Sequence, residues 1–204
     1  MATVFILAGF DLHETAADAG FAQLRDGLTK KGYSVVPVAI SWRHKTISQY
    51  LEDFKQFYKQ HKTDTNIVIG NSFGAVIAFL AAPVLQPDSI YLCSLSPFFK
   101  EDRRKFPDSY GIKYFGKRRM EDLWSYSADE VAKVINQTAT KTFVVYGEKE
   151  YISSPNLVSR CRETADKIKG AVLTEVAGAP HDMSDDVYSA AIINMLMSDE
   201  LGYN

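Results

Sequence analysis

Cysteine is scarce in this chain: Cys93 and Cys161 are the only two among 204 residues. Two thiols cannot build a disulfide scaffold in a polymer of this length, so stability has to come from a buried core, and a reducing, cytoplasmic setting fits. An excess of one charge is also missing. The 23 Lys and Arg stand against 25 Asp and Glu, a net charge of −2, so no bulk attraction draws the chain to nucleic acid or anionic lipid. No apolar run approaches the roughly 20 residues that span a bilayer. The stretch Val4-Phe5-Ile6-Leu7 has no basic residue ahead of it and is interrupted at Asp11, which suits a first core strand better than a secretion signal. The four histidines share no metal-ligand spacing, and Asp182, Asp185 and Asp186 read as an acidic helix start, so no metal is expected. No Gly-x-x-x-x-Gly-Lys follows a strand and the first turn offers only Gly9, so no nucleotide cofactor is expected either.

What is present is an alternation. Near-continuous apolar runs, rich in β-branched and aromatic residues, fall at 3–7, 34–40, 66–69, 89–95, 142–146 and 171–176, and unbroken runs of this length predict strands buried on both faces. Between them lie helical patterns. Phe21, Leu24 and Leu28 share a face, as do Tyr50, Leu51, Phe54, Phe57 and Tyr58, and later Val187, Ala191, Ile192 and Ile193. Thr46 with Gln49 and Ser127 with Glu130 have capping-box spacing, Ser154-Pro155 places a hydroxyl at a helix cap, and Gly32 and Gly170 follow lysine-bearing last turns. Strand–helix alternation predicts an α/β fold: a mostly parallel six-stranded sheet with helices on both faces and ligands beyond the carboxyl ends of the strands. Length and the lack of linkers or repeats predict one domain over 1–204. The segment 97–141 breaks the rhythm. It has no strand pattern, one clear helix at about 128–136, many aromatic residues including Phe98, Phe106, Tyr110, Phe115 and Trp124, and the basic clusters 103–105 and 117–119, and it is expected to be a small cap-like insertion.

The most informative segment is Gly70-Asn71-Ser72-Phe73-Gly74, placed between the apolar run 66–69 and the helix-forming run 75–80. It reads as a nucleophile elbow, a sharp strand-to-helix turn that lifts Ser72 Oγ clear of the sheet. The N–H of Phe73, at the helix start, would face an oxyanion, and a second donor is expected from Phe10 in the loop after the first strand. A serine hydroxyl needs a base, and the base needs an orienting acid. His181 lies on a loop after the last strand, at the same sheet edge as Ser72. His61 ends a helix beside lysines and reads as solvated, while His44 and His13 follow early strands. For the acid, Glu150 is preferred to Glu148: it precedes Tyr151 and Ile152 and reads as turned inward, whereas Glu148 adjoins Lys149 and reads as a solvated charge. Asp182 and Asp102 are alternatives.

The order of Gly9-Phe10 loop, Ser72 elbow, acidic loop and late histidine resembles the α/β-hydrolase superfamily over nearly the whole chain, in particular its compact serine-esterase members. The resemblance implies a Ser72, His181, Glu150 triad, an oxyanion hole of Phe10 and Phe73 amides, and a small-molecule acyl ester as substrate, cleaved through an acyl-enzyme. Two residues depart from the pattern: Ala8 stands where most relatives have histidine, and Glu150 where most have aspartate. Serine at the elbow disfavours the dehalogenase and epoxide-hydrolase branches. A thioesterase, an amide or carbon–carbon bond hydrolase with the same triad, and a non-catalytic binding protein retaining the fold are the rival readings. Oligomeric state has no signature in the sequence.

Overall fold

Among the described residues every strand lies parallel to its neighbours, in one sheet ordered β2-β1-β3-β4-β5-β6. The computed structural model describes residues 1–10, 21–39, 41–105 and 108–200; Asp11, His13, Ile40, Phe106 and the side chain of Tyr110 lie outside that description. The strands are β1 (Thr3–Leu7), β2 (Ser34–Pro37), β3 (Asn66–Asn71), β4 (Ser89–Cys93), β5 (Lys141–Gly147) and β6 (Val172–Val176). The helices are α1 (Ala22–Lys30), α2 (Ile47–His61), α3 (Phe73–Leu85), α4 (Asp108–Phe115), α5 (Lys117–Leu123), α6 (Ala128–Ile135), α7 (Glu150–Ser153), α8 (Pro155–Lys167) and α9 (Asp186–Glu200). The six-stranded parallel α/β architecture expected from the sequence is the one found.

Alternation along each strand divides the core into two layers, because successive side chains point to opposite faces. Phe5, Leu7, Val68, Ile90, Leu92, Val144 and Tyr146 face α2, α3, α6 and α8. Val4, Ile6, Ile67, Ile69, Tyr91, Cys93, Phe143 and Val145 face α1 and α9. Both layers are needed, which is why β1, β3 and β4 are buried along their full length and read as continuous apolar runs. Helix α3 is apolar on all sides and buried from Phe73 to Ala82, the pattern of a helix enclosed by its neighbours.

Several expectations are corrected in detail. Strand β2 ends at Pro37, a residue an edge strand tolerates because its N faces away from β1 while Val38 N still donates to Ile6 O at 2.9 Å, and it is only partly buried; β6, the other edge, alternates between covered and exposed positions. Strand β4 ends at Cys93 because Ser94 adopts φ 53° and turns the chain. In α9 the buried face is Tyr188, Ile192 and Leu196, whereas Val187 is half exposed. Ser154 does not cap α8, although Pro155 opens it; Thr46 does form its capping box on α2, and Ser127 caps α6. Between β4 and β5 the chain forms a 3₁₀ turn at Lys100–Lys105 and the helices α4 and α5 in addition to α6.

Candidate active site

Strand β1 pairs with β2 on one side and β3 on the other, and the chain leaves β1 over one face (α1) and returns to β3 over the other (α2). This reversal opens a crevice beyond the carboxyl ends of β1 and β3, where ligands of doubly wound sheets bind. Ser72 stands there, between β3 and α3, with φ 56° and ψ −113°. A non-glycine residue in that region carries backbone strain on the order of 1–3 kcal/mol. The turn closes only because its flanking residues lack a Cβ: one on Gly74 would lie 2.3 Å from Leu7 O, and one on Gly70 would lie 2.4 Å from Gly74 O. Ser72 N donates to Cys93 O at 2.9 Å, which ties the elbow to β4. Ser72 Oγ lies 3.1 Å from Ser96 Oγ, its hydrogen-bond partner in this structure.

The loop after β1 runs beside the elbow. The N–H groups of Phe10 and Phe73 meet no acceptor among the described residues, and their rings pack at 5.7 Å between centroids. Trp42 holds this loop: its Nε1 donates to Gly9 O at 3.0 Å, and its ring stacks on Tyr50 at 4.0 Å. Arg119 of α5 lies 4.7 Å over the Phe10 ring and donates to Trp42 O and Lys45 O at 2.9 and 3.0 Å.

His181 sits on the loop between β6 and α9, half-buried, with Nδ1 2.5 Å from Glu150 Oε1. A carboxylate only accepts, so Nδ1 carries the proton and Nε2 is left as the basic nitrogen. Glu150 is fully buried. Its Oε2 accepts from Gly147 N at 2.7 Å and Ser94 Oγ at 2.8 Å, so burial of the carboxylate is compensated by three donors from three different segments. Tyr188 OH lies 3.0 Å from Ser94 Oγ and donates to Val145 O at 3.1 Å. Burial pushes its phenol well above the ordinary range, with Cys93 and Glu150 adding to the rise. Burial likewise raises the Cys93 thiol, which stays protonated and takes no part in ion pairing.

The other sequence candidates fall elsewhere. Glu148 is exposed but not merely solvated: its Oε2 accepts from Gly178 N at 2.7 Å and fastens the loop that carries His181. Asp102 is buried against Arg160, whose Nε donates to it at 3.0 Å. Asp182 is exposed and accepts from Ser184 N. His61 is exposed and stacks on Phe57, and His44 occupies an exposed turn at φ 60°. Among the described residues no group of three or more His, Cys, Asp and Glu could hold a metal ion, and no helix is long and apolar enough to cross a membrane.

Ser72 and His181 open on one cavity of about 440 Å³, whose walls include Ser96, Phe98, Phe115 and Leu157. The β4–β5 connection forms part of that wall and is fastened to the body at separate points. Ser48 at the start of α2 donates through N and Oγ to Asp122 at 2.7 and 2.5 Å, Arg119 grips the Trp42 turn, and Arg160 of α8 holds Asp102.

Comparison with solved structures decides the fold. MGS-MChE2, an α/β hydrolase enzyme from the metagenome of lagoon sediments at Mar Chica, Morocco, superimposes with a TM-score of 0.69 over 98% of this chain and 92% of its own, at 16% identity. The chain has the α/β-hydrolase fold. A carboxylesterase structure from the ammonia-oxidizing thaumarchaeon Nitrososphaera gargenis matches over 98% of this chain and 90% of its own (TM-score 0.66, 14% identity). The meta-cleavage product hydrolase of Pseudomonas fluorescens IP01 matches over 98% and 92% (TM-score 0.72, 14% identity). No family model matches the chain, and no curated protein matches it in sequence. Within this α/β-hydrolase fold, the residues that sequence reasoning missed are Ser94, Ser96, Tyr188 and Trp42. Hydroxyls at the carboxyl end of the run 89–95 were a usable signal for the two serines; Tyr188 and Trp42 sit in no motif that singles them out.

Proposed function

We propose that this protein is a serine hydrolase acting on a small acyl ester, soluble in a reducing, cytoplasmic compartment where its two buried free thiols persist. Ser72 exchanges its contact with Ser96 for one with His181 Nε2, loses its proton to that nitrogen and attacks the ester carbonyl. Glu150 holds the resulting imidazolium in place. The N–H groups of Phe10 and Phe73 donate to the oxyanion, each worth about 10²–10³ in turnover. Collapse breaks the carbon–oxygen bond, and the alcohol departs with the proton from His181. Water then attacks the acyl-enzyme, gives a proton to His181, and the acid leaves as Ser72 regains its own.

The observation that carries this reading is the 2.5 Å contact between His181 Nδ1 and the buried Glu150, with His181 facing the same cavity as the strained Ser72. The carboxylesterase among the similar structures supports the choice of ester.

A fluorophosphonate probe and p-nitrophenyl acetate test it. Labelling is expected in the natural protein and lost in Ser72→Ala. Glu150→Gln is expected to lower kcat by about 10³–10⁴, as loss of an orienting carboxylate does, and Glu148→Gln by less than about tenfold. Persistent labelling of Ser72→Ala, or a larger loss at Glu148, would overturn the assignment.

A further inference from the structure

The cavity before Ser72 and His181 has one lysine in its wall, Lys105, and no carboxylate among the described residues that line it. Phe98, Phe115 and Leu157 supply apolar wall, and Ser154 and Asn156 add neutral polar groups. Asn156, Arg160 and Glu163 are spaced i, i+4, i+7 and so share one face of α8. Lys105 lies along that face, with Nζ 2.7 Å from Glu163 Oε1 and 3.4 Å from Asp102 Oδ1.

Neither carboxylate depends on Lys105. Asp102 accepts from Arg160 Nε at 3.0 Å and from Phe99 N at 3.2 Å, and Glu163 is reached by Arg160 Nη2 at 3.4 Å. An ammonium group has three N–H donors, so one can turn to a ligand while a protein partner is kept. The 3₁₀ turn that carries it holds four cations, Lys100, Arg103, Arg104 and Lys105, and two acids: Glu101 accepts from Ser127 Oγ and Ala128 N, and Asp102 is shared between Arg160 and Lys105. A cavity that joins a nucleophile, apolar wall and a cation suits an acyl chain that ends in negative charge.

We propose that the substrate is an ester whose acyl chain ends in a carboxylate, seated on Lys105. The serine-hydrolase reading is needed only to place the reacting carbonyl at Ser72; the anion subsite stands on the cavity and Lys105.

The test compares p-nitrophenyl hydrogen glutarate with p-nitrophenyl valerate, chains of equal length that differ in the terminal charge. The natural protein is expected to favour the glutaryl ester by about tenfold in kcat/KM, through KM, the scale of one hydrogen bond to a charged group. Lys105→Gln should abolish that preference while leaving valerate cleavage within about twofold, and Lys105→Arg should keep most of it. Glu163→Gln, which frees Lys105 from its nearest acid, should strengthen the preference, a result that a purely structural lysine would not give. A preference for valerate, or one that survives Lys105→Gln, would overturn the proposal. Calorimetry of Ser72→Ala with monomethyl glutarate, with and without Lys105→Gln, reads the subsite without turnover. If neither ester is cleaved but this binding depends on Lys105, the hydrolase reading fails and the subsite stands; if binding is absent or indifferent to Lys105, the subsite falls.

Discussion

Ser94 Oγ donates to Glu150 Oε2 across 2.8 Å, joining the carboxyl ends of β4 and β5 through residues 56 positions apart, both buried. Ser94→Ala leaves that oxygen with Gly147 N as its remaining partner. The expected cost is about 1–3 kcal/mol of stability, that of an under-satisfied buried acceptor, measured by urea unfolding. Because the same bond aims Glu150 at His181, kcat on p-nitrophenyl acetate is expected to fall by about tenfold with little change in KM. A stability loss with unchanged kcat would make Ser94 a purely structural residue.

Trp42 acts on the loop that presents Phe10. Trp42→Phe keeps the stacking on Tyr50 and removes the hydrogen bond to Gly9 O. If Phe10 N–H is the oxyanion donor proposed above, loosening it should show as a fall in kcat of about tenfold, below the full loss of a donor, with protein stability changed by less than about 1.5 kcal/mol. Steady-state kinetics beside a denaturation curve separates the two effects.

Asp102 and Arg160 are both buried, and Arg160 Nη1 has no partner among the described residues. Burial works against the Arg160 charge, but Asp102 and the neighbouring acids hold its proton more firmly than usual. Asp102→Ala leaves the buried Arg160 with only the more exposed Glu163 as counter-ion and is expected to cost up to about 3–5 kcal/mol. The double variant Asp102→Leu with Arg160→Met removes both charges and should be closer to the natural protein than the single variant, as thermal unfolding would report.

Alkaline solution should weaken the fold. Burial, helped by Asp53, raises the Tyr50 phenol; burial, helped by Asp88, pushes Tyr58 up to about 12; and Tyr188 is also raised. Above about pH 10 an unfolded chain releases phenolic protons that the folded chain keeps, so stability falls as pH rises toward the folded values and is unaffected by these groups below pH 10. Tyr58→Phe should flatten the decline between about pH 10 and 12 in urea titrations.

Burial on both faces made the central strands legible, since it wrote them as unbroken apolar runs. The face of α9 was misread for a related reason: apolar residues nearly encircle it, so Val187 competed with Tyr188 and only packing against β5 and β6 decides. Helices α4 and α5 are short and carry glycine or a run of cations, which hides their periodicity. Ser72, His181 and Glu150 were accessible because each follows a strand and therefore reaches the same edge. The Ser94–Glu150 contact was not, since it exists only through the adjacency of β4 and β5.

The described part of the β4–β5 connection is moored at Ser48, at the Trp42 turn and at Arg160. With the cavity wall tethered at three places, turnover is expected to be indifferent to the viscosity of the surrounding medium.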